Sequence, residues 1–133
     1  MKKITLISTF IFALFIAKAQ LTITVTVPNV KPLKGNIMLR LQNNIGADLE
    51  KKVVPIDTKN FTTTFTVSSK GRYAISIYHD VNKNNKLDKN FFGAPSEGFG
   101  FSNNVKEVFS EPTLKAKLFA VNTNTTISIK LNY

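Results

Sequence analysis

From Leu21 the chain alternates strictly: Leu21, Ile23, Val25 and Val27 are apolar, with Thr22, Thr24 and Thr26 between them. A period of two with β-branched residues on both faces predicts a half-buried strand. The pattern returns at Ile37–Leu41, after turn signals at Pro32 and Gly35, and again at Phe61–Val67, where threonines fill an exposed face. Over Gly71–His79 it places Tyr73, Ile75, Ile77 and His79 on one face. Leu118–Val121 and Thr126–Leu131 complete the set, and Asn122–Asn124 between them reads as a hairpin loop. No window of helical length carries a sustained apolar repeat of 3.6 residues. The expected architecture is all-β: a single immunoglobulin-like or transthyretin-like β-sandwich of six to seven strands with one long ordered loop.

Strand periodicity lapses between Asp80 and Lys117. Unstructured stretches beyond about 12–15 residues are uncommon in compact domains and are usually functional or disordered. Disorder fits poorly with Phe91, Phe92, Phe99, Phe101 and Phe109. That many rings are expected to pack, which folds the segment back over the sandwich and makes it the place to look for a site.

The segment opens with Asp80-Val81-Asn82-Lys83-Asn84-Asn85-Lys86-Leu87-Asp88. Side-chain oxygens of Asp80, Asn82, Asn84 and Asp88 fall at positions 1, 3, 5 and 9 of a calcium loop, and the carbonyl of Lys86 falls at position 7. Ca²⁺ is a hard ion that takes six to eight oxygens in flexible geometry, which is what such spacing supplies. Asn85 stands where the tight turn usually needs Gly, and Asn is the residue next best able to adopt a left-handed backbone. Position 12 is Phe91 rather than a bidentate Glu, and Lys83, Lys86 and Lys89 add positive charge. Any affinity should therefore be weak, in the ~10⁻⁴–10⁻³ M range, with Glu97 able to supply a carboxylate if the chain folds back. The competing expectation is an Asp/Asn-rich turn held by side-chain-to-backbone hydrogen bonds.

The segment continues Gly93-Ala94-Pro95-Ser96-Glu97-Gly98-Phe99-Gly100-Phe101-Ser102-Asn103-Asn104. Glycines alternating with phenylalanines allow a tightly bent backbone with the rings on a common surface. Phe99 and Phe101, with Glu97 and Asn103, form a candidate ligand surface that could line an apolar or sugar-stacking groove. Such rings more often plug the open end of a sandwich. No strand, Gly loop and helix surround a Gly-Lys-Ser/Thr, so a phosphate-binding loop is excluded. His79 is the sole histidine. Zinc recruits several His or Cys, so a buried strand-end histidine is expected. No serine sits in a nucleophile elbow, and catalytic residues are not evident.

Composition narrows the classes further. The 133 residues are 43% hydrophobic, enough for a core, and contain no Cys. A disulfide scaffold, a thiolate metal site and a Cys nucleophile are thereby excluded. Eighteen Lys+Arg against eight Asp+Glu give a formal net charge of +10. The lysines are scattered rather than striped, so no specific nucleic-acid binding is expected. They read as solvated faces, with loose attraction to an anionic surface polymer or lipid headgroup left open. Lys2 and Lys3 precede an uncharged, mostly apolar run, Ile4–Ala17, and Ala17-Lys18-Ala19 supplies the small residues a signal peptidase reads. Residues 1–19 are therefore predicted to be a secretory signal peptide, and 20–133 one β-sandwich domain, exported to the periplasm or beyond. The apolar run falls short of the about 20 residues of a membrane span, and no transmembrane segment is expected after cleavage.

Gly71-x-Tyr73-Ala74, His79-Asp80-x-Asn82-x-Asn84-x-Lys86-Leu87-Asp88 and Gly93-x-Pro95-x-Glu97-Gly98-Phe99-Gly100-Phe101-Ser102-Asn103 together resemble an exported family of Gram-negative bacteria, domain-of-unknown-function family 2141. The resemblance covers nearly all of the chain after the predicted leader. It implies export and a transthyretin-like or carboxypeptidase-regulatory-like β-sandwich, and marks Asp80–Asn104 as the family's hallmark. It implies no activity.

Two functions are expected from these residues. The first is a non-enzymatic binding or accessory module of the bacterial envelope, monomeric, meeting an envelope protein or a glycan, with Ca²⁺ as a weak structural ion. The alternative is a small hydrolase or lyase using Glu97 with Asp80 or Asp88. Glu97 pinned by backbone amides would count heavily against it.

Overall fold

The computed structural model describes residues 19–107 and 109–133. The predicted signal peptide, save Ala19, lies outside the described residues.

The alternating segments form the strands they predict. β1 (Leu21–Val27) buries Ile23, Val25 and Val27, and β2 (Asn36–Gln42) buries Ile37, Leu39 and Leu41. β3 spans Asp48–Pro55, β4 Phe61–Val67 and β5 Gly71–Asp80. Three short strands follow: β6 (Phe99–Phe101), β7 (Phe119–Val121) and β8 (Thr125–Ser128). A 3-10 turn, Ser102–Asn104, and a one-turn helix, α1 (Leu114–Lys117), lie between β6 and β7.

The strands make two sheets. One has the order β4-β1-β8, and the other runs β3-β2-β5-β6, with β7 also paired to β5. β6 pairs with the end of β5 (Ser76–Tyr78) and β7 with its start (Gly71–Tyr73). Ile23, Val25 and Phe65 from the first sheet meet Ile37, Leu39, Tyr73, Ile75 and Ile77 from the second in a single buried cluster. The protein is thus an all-β sandwich. Each fully buried aliphatic side chain contributes about 1.5–3 kcal/mol against the entropy of ordering the chain.

Four sequence expectations need correction. Among the described residues the strands number eight, because β3 and β6 escaped the periodicity. β3 reads as charged, yet it is an edge strand whose Lys52 lies across the open margin of the sandwich. The Lys52 ammonium sits 4.9 Å from the centroid of Phe65, donates to the Thr64 carbonyl and pairs with Glu50 at 3.4 Å, so a cation faces a core ring at the sheet's edge. Asn122–Asn124 is not a hairpin: β7 pairs with β5, while β8 pairs in parallel with β1, so the chain changes sheets there. Phe99 and Phe101 do not plug an end of the sandwich. Their partners across the β5–β6 ladder are Tyr78 and Ser76, on the face of β5 opposite Ile75 and Ile77, so both rings lie on the outer face of the sheet. Finally, the five rings do not all pack. Phe91, Phe92 and Phe109 are 97%, 82% and 76% exposed.

Candidate functional site

Asp80 ends β5 and is fully buried. Its carboxylate accepts the amide hydrogens of Asn84 at 3.0 Å and Asn85 at 2.8 Å, which folds the following residues back over the strand end. Two further turns of the same kind continue the loop: Asn82 Oδ1 accepts from Asn84 N–H, and Asn84 Oδ1 from Lys86 N–H. The amides of Asn82 and Asn84 then donate to the two oxygens of Asp88 at 2.6 and 2.9 Å. Lys83 and Asn85 take φ of 60° and 62°, so Asn85 adopts the left-handed conformation its place in the motif calls for.

Asp80, Asn82, Asn84 and Asp88 are therefore gathered in one box, with Lys86 joined to it through its backbone N–H. The box carries two carboxylates, and it is the amide nitrogens of Asn82 and Asn84 that face Asp88. Among the described residues no group of three or more His, Cys, Asp and Glu side chains is placed to hold a metal. For an ion to replace the present hydrogen bonds, Asn82 and Asn84 must present oxygen rather than nitrogen toward Asp88.

Glu97 does fold back onto this loop. Its Oε1 accepts from Val81 N–H at 2.9 Å and its Oε2 from Asp88 N–H at 3.2 Å, so the buried carboxylate ties the start of the loop to its end. A carboxylate held by two backbone amides is poorly placed to exchange protons with a substrate, which counts against the acid–base pairing of Glu97 with Asp80 or Asp88.

Immediately after Glu97 the chain enters β6. Phe99 and Phe101 pack edge to face, with ring centroids 5.9 Å apart. Gly100 between them turns inward, where an added Cβ would lie 2.5 Å from the Lys130 carbonyl oxygen. The alternation of Gly and Phe thus has a packing reason: the glycines admit the C-terminal segment on one side, and the rings stand on the other. On that outer side lies a cavity of about 550 Å³. Met38, Tyr78, Phe99 and Phe101 line it from the sheet, and Leu87 and Pro95 from the loop. Its walls carry both charges, Arg40, Lys51, Lys52 and Lys89 with Glu107 and Glu111, and Arg40 and Lys51 are paired with Glu111 and Asp48. Burial raises the Tyr78 hydroxyl above its ordinary value, and the nearby charges of Asp80 and Glu97 push the same way.

Sequence reasoning missed a second charged cluster beside Phe101. Lys117 of α1 is buried, with its ammonium 5.6 Å from the Phe101 centroid. It donates to Glu111 at 2.5 Å and to Ser76 Oγ at 3.3 Å, and Arg40 pairs with the same Glu111 oxygen. No periodicity surrounds Lys117, and Arg40 reads as an ordinary polar position of β2, so no sequence signal joins them.

The remaining candidates have structural partners. Both amide hydrogens of Asn103 go to carbonyls, of Ala116 and Leu118, so this side chain braces α1 rather than facing a ligand. His79 is fully buried: the Tyr133 hydroxyl accepts from Lys31 N–H and hydrogen-bonds His79 Nδ1 at 3.2 Å, and Nε2 donates to the Lys34 carbonyl at 2.7 Å.

A family model described as "Uncharacterized protein conserved in bacteria (DUF2141)" matches residues 25–128, from β1 to the end of β8. No curated protein and no solved structure matches the chain.

Proposed function

The chain belongs to that uncharacterised bacterial family, and from this premise we propose that it is an exported, non-enzymatic binding or accessory module of the bacterial envelope. Its ligand site is the cavity over the outer face of β2, β5 and β6. The observation that carries this reading is the burial of Phe99 and Phe101 outside the sandwich core, as lining of a cavity of about 550 Å³. That volume suits a small ligand or the end of a larger one, such as a glycan or a segment of an envelope protein. Export is supported by the order of charged, apolar and small residues before Gln20. A binding rather than catalytic role is supported by Asp80, Asp88 and Glu97, whose oxygens already accept hydrogen bonds from the loop itself. The box of Asp80, Asn82, Asn84 and Asp88 acts as the loop's frame, with the Lys86 carbonyl as a fifth donor when weakly bound Ca²⁺ reinforces it.

The test uses anilinonaphthalene sulfonate, an amphipathic anion suited to an apolar floor whose walls carry more cations than carboxylates. Saturable one-to-one binding to the native protein, lost in Met38→Trp with the fold intact, is the expected result. No binding below the unfolding transition, or equal binding by Met38→Trp, would overturn the assignment of the cavity.

A further inference from the structure

Phe91 and Phe92 stack edge to face at 5.5 Å and are otherwise offered to solvent, 97% and 82% exposed. They stand at the apex of a braced turn. Asn90 N–H donates to the Ala94 carbonyl at 2.8 Å, and Gly93 N–H to the Asn90 carbonyl at 3.0 Å. The Asn90 side-chain oxygen accepts from Phe92 and Ala94 N–H at 3.0 and 3.1 Å. At the base, Lys89 and Pro95 form a β-bridge, and Ser96 N–H donates to the Asp88 carbonyl. The rings are therefore displayed by an ordered turn, against the burial that apolar rings otherwise seek.

The exposed charge around the turn is cationic, whereas the loop's carboxylates, Asp80, Asp88 and Glu97, are buried or half-buried and accept hydrogen bonds from the loop itself. Lys83, Lys86 and Lys89 on the same loop are exposed. Asp88, the acidic residue among them, is engaged by the amides of Asn82 and Asn84. Without Lys2, Lys3 and Lys18 of the predicted leader, 15 Lys+Arg stand against 8 Asp+Glu, a formal net charge of +7 for residues 20–133.

We propose that the Phe91–Phe92 turn docks the protein onto an anionic lipid bilayer. The two rings enter the boundary between headgroups and acyl chains, where aromatic side chains lose little hydration and bury apolar area. The ammonium groups of Lys83, Lys86 and Lys89 meet the lipid phosphates, each adding attraction that falls with salt. The flanking charge favours a bilayer: exposed rings and three exposed ammonium groups on one loop match a surface that offers phosphates above an apolar interior. Lys89 and Pro95, at the base of the turn, also line the cavity over β6, so docking would bring that wall of the cavity toward the lipid surface. The proposal stands on the exposed turn and does not depend on any ligand for the cavity.

The experiment uses residues 20–133, which contain every strand described, so that the apolar run Ile4–Ala17 does not contribute. Sedimentation with vesicles of phosphatidylcholine alone is compared with vesicles that also contain phosphatidylglycerol. Binding to the anionic vesicles is expected, weakening with salt, and at least about tenfold weaker in Phe91→Ser/Phe92→Ser. Replacing Lys83, Lys86 and Lys89 by Gln should also weaken it. Since the chain has no Trp, Phe91→Trp gives an independent reading, with emission shifted to shorter wavelength on anionic vesicles. Absence of binding, equal binding by the double variant, or an unshifted Trp would each overturn the proposal. So would conversion of an oligomer to a monomer by the double variant, which would mean that a second copy covers the rings.

Discussion

Glu111 meets the buried Lys117 ammonium at 2.5 Å, on the outer face of the sheet beside Phe101. A buried ammonium is tolerated because its hydrogens have partners, here Glu111 and Ser76. Burial pushes the Glu111 carboxyl up, but the Lys117 hydrogen bond and the charges of Lys117 and Arg40 outweigh it and hold the group below its ordinary 4.5. A carboxyl whose value is lower when folded contributes stability that is whole above the unfolded value and is lost as pH falls through the folded one. Glu111→Gln should thus lower the melting temperature at neutral pH, and its deficit against the parent should shrink below pH 4.5. Thermal melts between neutral pH and about pH 3 check this. A deficit independent of pH would show that the ion pair contributes nothing to the acid limb.

Asp80 and Asp88 belong to one loop but differ in depth, and their removal should differ accordingly. Asp80 is fully buried and satisfies the backbone of Asn84 and Asn85. Asp80→Ala should cost about 2–3 kcal/mol, because it strips the loop of its anchor and leaves donors beside an apolar hole. Asp88 receives Asn82 and Asn84 amides near solvent, and Asp88→Ala should cost about 1 kcal/mol or less. Urea unfolding with EDTA present throughout measures both. Equal costs would mean that the box is not organised around Asp80.

The contrast between β5 and β3 shows what was legible in the chain. Tyr73, Ile75, Ile77 and His79 alternate and are all buried, because one face of β5 meets the core. β3 occupies an edge, so charges replace apolar residues on both faces, and the Lys52 ammonium lies over the Phe65 ring. Periodicity cannot separate that from a loop. The same holds for the site. The spacing of Asp80, Asn82, Asn84 and Asp88 revealed the box, because those contacts are local in sequence. Arg40, Ser76, Glu111 and Lys117 meet through sheet pairing and the placement of α1, and such contacts leave no local trace. The exposure of Phe91 and Phe92 also went unforeseen, because composition reports how many rings a segment has and not where a turn points them.

Gly100 offers a test of the packing beneath the cavity. Its added Cβ would stand 2.5 Å from the Lys130 carbonyl oxygen and 2.9 Å from Ile129 Cγ2, both parts of the segment that bridges β6 at Asn132. The Lys130 backbone cannot yield without disturbing the Phe99–Asn132 hydrogen bonds of 2.9 and 2.8 Å. Gly100→Ala should destabilise the fold by about 1–3 kcal/mol. Denaturant unfolding measures the loss, and amide exchange at Phe99 and Asn132 should quicken more than in β1. A neutral substitution would mean that the C-terminal segment is free to move off the sheet.

Calcium separates the two accounts of the Asn-rich loop. The box of Asp80, Asn82, Asn84 and Asp88 is closed by its own hydrogen bonds, so an ion must compete with them, and two carboxylates give it limited charge to hold. An ion that binds the native state alone raises stability by RT ln(1 + [L]/Kd), about 1.4 kcal/mol at ten times Kd. With affinity in the ~10⁻⁴–10⁻³ M range, the melting temperature should be level in EDTA and climb through millimolar Ca²⁺, while Mg²⁺, which demands a tighter octahedral shell, leaves it unmoved. Asp88→Ala should abolish the climb while changing little in EDTA, since its carboxylate lies near solvent and braces two exposed amides. A flat response of the parent chain to Ca²⁺ would reduce the loop to a hydrogen-bonded frame. A climb that survives Asp88→Ala would place the ion elsewhere.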